Sequence, residues 1–316
     1  MTKLKGILLT EGMHGMMSQV EGLAKALDLD FTHHKVELDN FWKLFPPKLT
    51  PISQKVFKKI NADEFDVIIS CGRKSVIPSI FLKKNSPKKV VNIHIQNPKV
   101  SLDNFDFIIA PEHDGLVGNN VYQTKGAIHY LTNNEIDSHT EYLKNKLDPN
   151  KDYFLLILGG PTKHYDYSEK NISNIFNIFN ELVIKNNLQG IVIPSMRTPK
   201  NIIELSRNEL QQNSLVVETI DKKAYLSALS LAKYICVMCD STSMISEAAL
   251  TGKPIYVADI PTNKNDIRIR KFRQLFSKLN IIKKLDNNLE SWDYERLDET
   301  SRVATEIKKK FIKKSC

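Results

Sequence analysis

The chain has 316 residues, 41% of them hydrophobic and 26% charged, with a net charge of +9. That length suits two domains with separate cores, and the absence of an apolar run of about 18 residues argues against a membrane span. The lysines are dispersed and no nucleic-acid-binding motif accompanies them, so no nucleic-acid partner is expected.

The first elements alternate strand and helix. Residues 4–10 read as a strand that follows Met1 too closely for a signal peptide, so a cytoplasmic protein is expected. A helix is predicted over 17–27, strands over 31–38 and 66–71, and helical segments over 52–60 and 76–84. Strands over 89–95 and 105–110 complete a parallel set. The unbroken apolar runs Val67-Ile68-Ile69 and Phe107-Ile108-Ile109 suit strands covered on both faces. A polar helical stretch, 133–146, and the turn Asp148-Pro149-Asn150 place a domain boundary near residue 150. The grammar then restarts: strand 153–158, helix 168–185 capped by Ser168, and strands 191–194, 215–217, 234–238 and 255–257, with helices between them. The tail, 292–314, reads as a helix that packs back across the first domain. The expected architecture is α/β, with two Rossmann-like doubly wound domains, 1–150 and 151–316, facing a cleft.

Ligands of such sheets bind beyond the carboxyl ends of the strands. The strongest candidate is Cys239-Asp240-Ser241-Thr242-Ser243-Met244-Ile245-Ser246-Glu247, a strand end, a polar turn and a helix start, with Gly252 as the helix stop. A helix N-terminus there suits phosphate, which would place Glu247 near a ribose. Gly159 and Gly160 would let the backbone pass close under a diphosphate, and Arg197 could pair with it bidentately. The GxGxxG spacing is absent, so a nicotinamide dinucleotide is not expected. In the first half, Gly72-Arg73-Lys74-Ser75 looks like an anion cradle without Walker spacing. His14, Glu112 and Asp114 are the candidate bases on loops at strand ends. Cys236 and Cys239 form a CxxC with no second ligand pair, so no metal is expected.

Together, Gly72-Arg73-Lys74-Ser75, Ala110-Pro111-Glu112-His113-Asp114-Gly115, Lys125-Gly126-Ala127, Gly159-Gly160-Pro161, Ser195-Met196-Arg197-Thr198-Pro199 and the Asp240 to Glu247 segment resemble the mitochondrial fission (elongated mitochondria) family of plants. Its bacterial relatives are described as glycosyltransferases and also as nucleoside-diphosphate-sugar epimerases. The resemblance implies a glycosyltransferase B-type fold, with a nucleotide-sugar donor on the second domain and an acceptor on the first. The segment from Asp240 to Pro254 is also similar to the donor site of lipid-linked sugar transferases such as the peptidoglycan N-acetylglucosaminyltransferase. By that likeness Ser241, Thr242 and Ser243 face the diphosphate and Glu247 the ribose. The family's first-loop His falls where this chain has Met16, and Met196 replaces a residue usually basic.

These readings lead to an inverting, metal-independent glycosyltransferase that takes a nucleotide-diphosphate sugar and requires no cofactor. Its base would be His14, Glu112 or Asp114. A cell-envelope glycolipid acceptor, with the protein peripheral on the inner membrane, would suit the basic charge and the lysine-rich end of the tail. The competing readings are a membrane-associated, non-catalytic adaptor and a nucleotide-sugar epimerase of the same fold.

Overall fold

The computed structural model of the chain describes residues 3–60, 64–263 and 265–315, with 311–315 described by their backbone alone. Two compact units emerge, Met1–Tyr130 with Asp298–Cys316, and Leu131–Leu297. The division falls ahead of the expected point near 150. The physical reason is that the helices of 133–144 pack on a helix of the second unit.

The first unit runs β1 (Lys5–Thr10), α1 (His14–Ala26), β2 (Asp30–Lys35), β3 (Val67–Cys71), α2 (Val76–Lys84), β4 (Val91–Ile95), β5 (Phe107–Pro111) and β6 (Val121–Thr124). All six strands are parallel, in the order β2-β1-β3-β4-β5-β6. Side chains alternate between the two faces of this sheet. Leu8, Val67, Ile69, Ile93 and Phe107 form one core with Val20 and Leu23 of α1, whereas Ile7, Leu9, Ile68 and Ile77 form the other. The helix expected over 52–60 is absent. Only Gln54–Val56 makes a 3-10 turn, after Pro51 has held the chain extended.

The second unit begins with α3 (Asn133–Asp137) and α4 (Glu141–Lys144), two short helices where one was expected. It continues through β7 (Tyr153–Ile157), α5 (Glu169–Lys185), β8 (Gln189–Ile193), α6 (Lys200–Leu210), β9 (Ser214–Val216), α7 (Lys222–Leu231), β10 (Tyr234–Met238), α8 (Thr242–Ala249), β11 (Ile255–Ala258), α9 (Ile267–Lys278) and β12 (Ile282–Lys284). These strands are also parallel, in the order β12-β11-β10-β7-β8-β9. The amphipathic α5 buries Phe176 and Phe179, the latter ring 4.6 Å from Phe154 at the sheet centre. Ser168 occupies the N-cap position of α5 with extended backbone, but its side chain makes no capping bond.

The last helix, α10 (Glu299–Ser315), starts later than expected and belongs to the first unit. Its apolar edge, Val303, Ala304 and Ile307, lies in the same core as Val20 and Leu23. Of the lysine-rich end, the side chains of Phe311, Ile312, Lys313 and Lys314 lie outside the described residues. Among the described residues no helix is long and apolar enough to cross a membrane.

Candidate functional site

In the second sheet the chain runs outward from β7 to β8 and β9, then returns to place β10 on the other side of β7. Such a switch point opens a crevice at the carboxyl ends of the strands. Three loops meet there: Gly159-Gly160 after β7, 195–199 after β8, and Cys239-Asp240-Ser241 after β10.

Asp240 ties them together. Its side chain is wholly buried, and its Oδ2 accepts from the Gly160 backbone N–H at 3.2 Å and from Arg197 Nη2 at 2.6 Å. Its Oδ1 lies so close to Gly159 that a Cβ there would sit 1.8 Å away, and a Cβ on Gly160 would sit 2.2 Å from the Arg197 carbonyl oxygen. The glycine pair is therefore required by the Asp240 carboxylate and the 195–199 turn, a reason different from clearance for a diphosphate. Thr198 adds a stitch, donating from Oγ1 to the Gly159 carbonyl at 2.7 Å and accepting from the Ser195 N–H at 2.8 Å. Burial raises the Asp240 carboxyl above the usual carboxylate range, and the Arg197 charge offsets only part of that.

Arg197 is 43% exposed in its side chain. Nη2 holds Asp240 and Nη1 reaches the Gly160 carbonyl at 3.3 Å. The guanidinium has further donors beyond these two bonds. It is thus fixed from inside while a large part of it meets solvent at the crevice.

Beside it, α8 starts as the sequence suggests. Ser241 is extended at the N-cap and its Oγ accepts from the Met244 N–H at 3.3 Å. Asp240, the residue before the cap, turns inward instead. Thr242 and Ser243 occupy the first helical turn, half-buried. Glu247 follows and is also half-buried; its Oε2 accepts from the Tyr225 hydroxyl of α7 at 2.7 Å. Burial pushes the Glu247 carboxyl up to about 7, with the Tyr225 bond pulling the other way. Behind the helix, Lys253 donates to the Leu229 and Ser230 carbonyls at the end of α7, a favourable place for a cation. Burial lowers that ammonium to about 8. Gly252 takes φ +74, the left-handed turn that lets the chain leave α8.

The first unit has its own switch point between β1 and β3. The Gly72 to Ser75 turn is there, but its cations are engaged internally. Lys74 Nζ is 2.6 Å from Glu11 Oε2, and Arg73 donates to the Lys43 and Phe45 carbonyls at 2.7 and 3.2 Å. Ser75 donates to the Cys71 carbonyl at 2.8 Å. The turn is a structural clasp and not an open anion cradle.

His14 is exposed at the first position of α1. Glu112 and Asp114 bracket His113 in one 3-10 turn after β5. Glu112 is exposed, whereas the Asp114 side chain is mostly covered, with Oδ1 3.8 Å from His113 Nε2. β3 and β4 separate β1 from β5, so His14 and the Glu112 turn lie three strand spacings apart along one sheet edge, on the order of 14 Å. The structure gathers the donor-side candidates and does not gather the three candidate bases. Among the described residues no group of three or more His, Cys, Asp or Glu is placed to hold a metal ion.

Two Rossmann-like units of these topologies make the fold shared by B-type glycosyltransferases and UDP-GlcNAc 2-epimerases. The glycotransferase of kitacinnamycin superposes with a TM-score of 0.56 at 11% identity, covering 98% of this chain and 99% of that one. UDP-GlcNAc 2-epimerase from Neisseria meningitidis bound to UDP-GlcNAc superposes with a TM-score of 0.51 at 14% identity, covering 98% and 100%. The chain belongs to the Mitochondrial fission ELM1 family, which it matches over residues 14–311. Among its relatives, an uncharacterized protein of Rickettsia prowazekii is 24% identical over 77% of this chain and 79% of its own length. The mitochondrial fission protein ELM1 of Arabidopsis thaliana is 23% identical over 77% of this chain and 63% of the plant protein.

Proposed function

We propose that the second unit binds the nucleoside diphosphate of a nucleotide sugar at the β7–β8–β10 edge, and that the protein transfers the sugar to a hydroxyl acceptor with inversion. The observation that carries this reading is Arg197, held from within by Asp240 and Gly160 yet 43% exposed beside the first turn of α8. In the proposal, its outward N–H groups and the helix N–H groups of Thr242 and Ser243 bind the diphosphate, and Glu247 accepts from the ribose hydroxyls. As the acceptor oxygen bonds to the anomeric carbon, the bond to the diphosphate breaks and negative charge grows on the leaving oxygen. A fixed guanidinium and a helix N-terminus stabilise that charge without a metal or other cofactor. The acceptor's proton passes to a base of the first unit. Because His14 stands apart from Glu112 and Asp114, the two positions are alternatives to be separated by substitution. A glycolipid acceptor, with the protein peripheral on a membrane, belongs to the same reading.

Calorimetric titration with UDP, GDP, ADP and CMP tests the donor site. One nucleotide should bind, and Arg197→Ala should weaken it at least tenfold, the loss of one charge-assisted contact. Binding by none of the four would leave the adaptor reading, which the family's description favours. The epimerase reading shares the fold, and NMR of a nucleotide sugar incubated without acceptor separates it: a changed sugar configuration with the nucleotide still attached would replace transfer by epimerisation.

A further inference from the structure

Residues 41–59 contain five lysines and no Asp or Glu, interleaved with Phe41, Trp42, Leu44, Phe45, Leu49 and Ile52. In the structure Trp42 and Phe57 pack inward, but four other large apolar side chains of this segment stay outside. Leu44 is 81% exposed, Leu49 65%, Phe41 57% and Ile52 39%. Four of the twelve large hydrophobic side chains exposed among the described residues thus fall within twelve consecutive positions, whereas the rest are scattered singly. Lys43, Lys48 and Lys55 are exposed among them.

The segment is held in shape. Arg73 grips the Lys43 and Phe45 carbonyls, and Thr50 donates from Oγ1 to the Pro46 carbonyl at 3.0 Å. The rings of Phe41, Trp42 and Phe45 lie 4.9–5.7 Å apart. Two 3-10 turns, Trp42–Leu44 and Pro47–Leu49, fix the backbone between them. An exposed apolar tip so braced loses little freedom on burial.

We infer that residues 41–55 form a membrane-docking surface, with Phe41, Leu44 and Leu49 entering the headgroup region and Lys43, Lys48 and Lys55 meeting anionic lipid. Composition selects a lipid surface over a protein partner. Lysine is depleted from protein–protein interfaces, whereas aromatic and leucine side chains ringed by lysine are the make-up of interfacial membrane binding. Val303, Ala304 and Ile307 of α10 are packed in the core and are not offered to lipid, whereas this segment is exposed. Arg73 follows β3, so the surface adjoins the carboxyl edge of the first sheet, where a lipid-borne acceptor would be presented.

The test is co-sedimentation with phosphatidylcholine vesicles, with and without phosphatidylglycerol, in the absence of any nucleotide. Its failure therefore leaves the nucleotide-sugar reading untouched. The full chain should sediment with the anionic vesicles. Leu44→Ser with Leu49→Ser should lower partitioning tenfold or more, and Lys48→Gln with Lys55→Gln about thirtyfold at low salt. These positions are exposed, so urea midpoints should stay unchanged. In a Trp292→Phe protein, lipids brominated in their acyl chains should quench Trp42. Failure of the full chain to sediment, equal sedimentation by the Leu44/Leu49 variant, or self-association in place of vesicle binding would each overturn the inference.

Discussion

Glu247→Gln should stabilise the protein at alkaline pH and leave it unchanged in acid. The carboxyl is half-buried under α7 and pushed up to about 7 from an ordinary 4.5. For an acid whose folded pKa is raised, the folded state favours the proton, so its full stability is present below about pH 4.5. That stability is lost as pH rises through 7. The difference of 2.5 between those values corresponds to at most about 3.4 kcal/mol. Partial exposure screens some of this, leaving on the order of 2 kcal/mol. Glutamine keeps an acceptor for the Tyr225 hydroxyl and never ionises, so it removes the loss. Urea unfolding of both proteins, followed by circular dichroism from pH 4 to pH 8, should show curves that coincide at pH 4 and separate by about 2 kcal/mol at pH 8. A gap independent of pH, or one that opens toward acid, would refute the argument. With Glu247 facing the ribose, as proposed, the same variant should bind nucleotide more weakly.

Gly159→Ala should cost about 3 kcal/mol or more, because its Cβ would occupy the space of the buried Asp240 carboxylate. Asp240→Ala makes that room, so in a double-mutant cycle by urea unfolding the two losses should fall well short of additive. Ser241→Ala removes the side-chain cap on the Met244 N–H and should lower stability by about 1 kcal/mol, a shift readable by the same method.

The sheet strands were legible wherever burial on both faces wrote an unbroken apolar run, as in Val67-Ile68-Ile69 or 234–238. Of the four edge strands, β2 and β9 were expected, whereas β6 and β12 escaped because they lack that run. β6 reads Val121-Tyr122-Gln123-Thr124 and β12 is only Ile282–Lys284, each with one neighbouring strand. α9 was hidden by its arginines and lysines, which surround Phe272 and Phe276 as its fully buried pair. At the candidate site, the Ser241 cap follows from local chemistry and could be read directly. The partnership of Asp240 with Gly159, Gly160 and Arg197 could not, since it joins three strand ends distant in sequence. Arg197 was visible as a cation, but nothing nearby in the chain announced that a buried carboxylate would aim it. Tyr225 was missed for the same reason: its meaning lies in Glu247, a helix away.

The return of residues 298–316 to the first unit has a consequence for how the protein is made. Val303 and Ile307 complete a core whose other members, Leu8 and Val20 among them, are synthesised long before them. The N-terminal unit must therefore wait, with one helix-sized apolar face open, until α10 has been synthesised after the whole of the second unit. The uninterrupted segment 131–297 can fold while the chain is still being extended. The second unit is in effect an insertion into the first, and no single cut in the gene separates two complete domains. A fragment ending at 130 would expose the face that α10 covers and would tend to aggregate, whereas 131–297 carries its whole sheet and all the residues around Asp240.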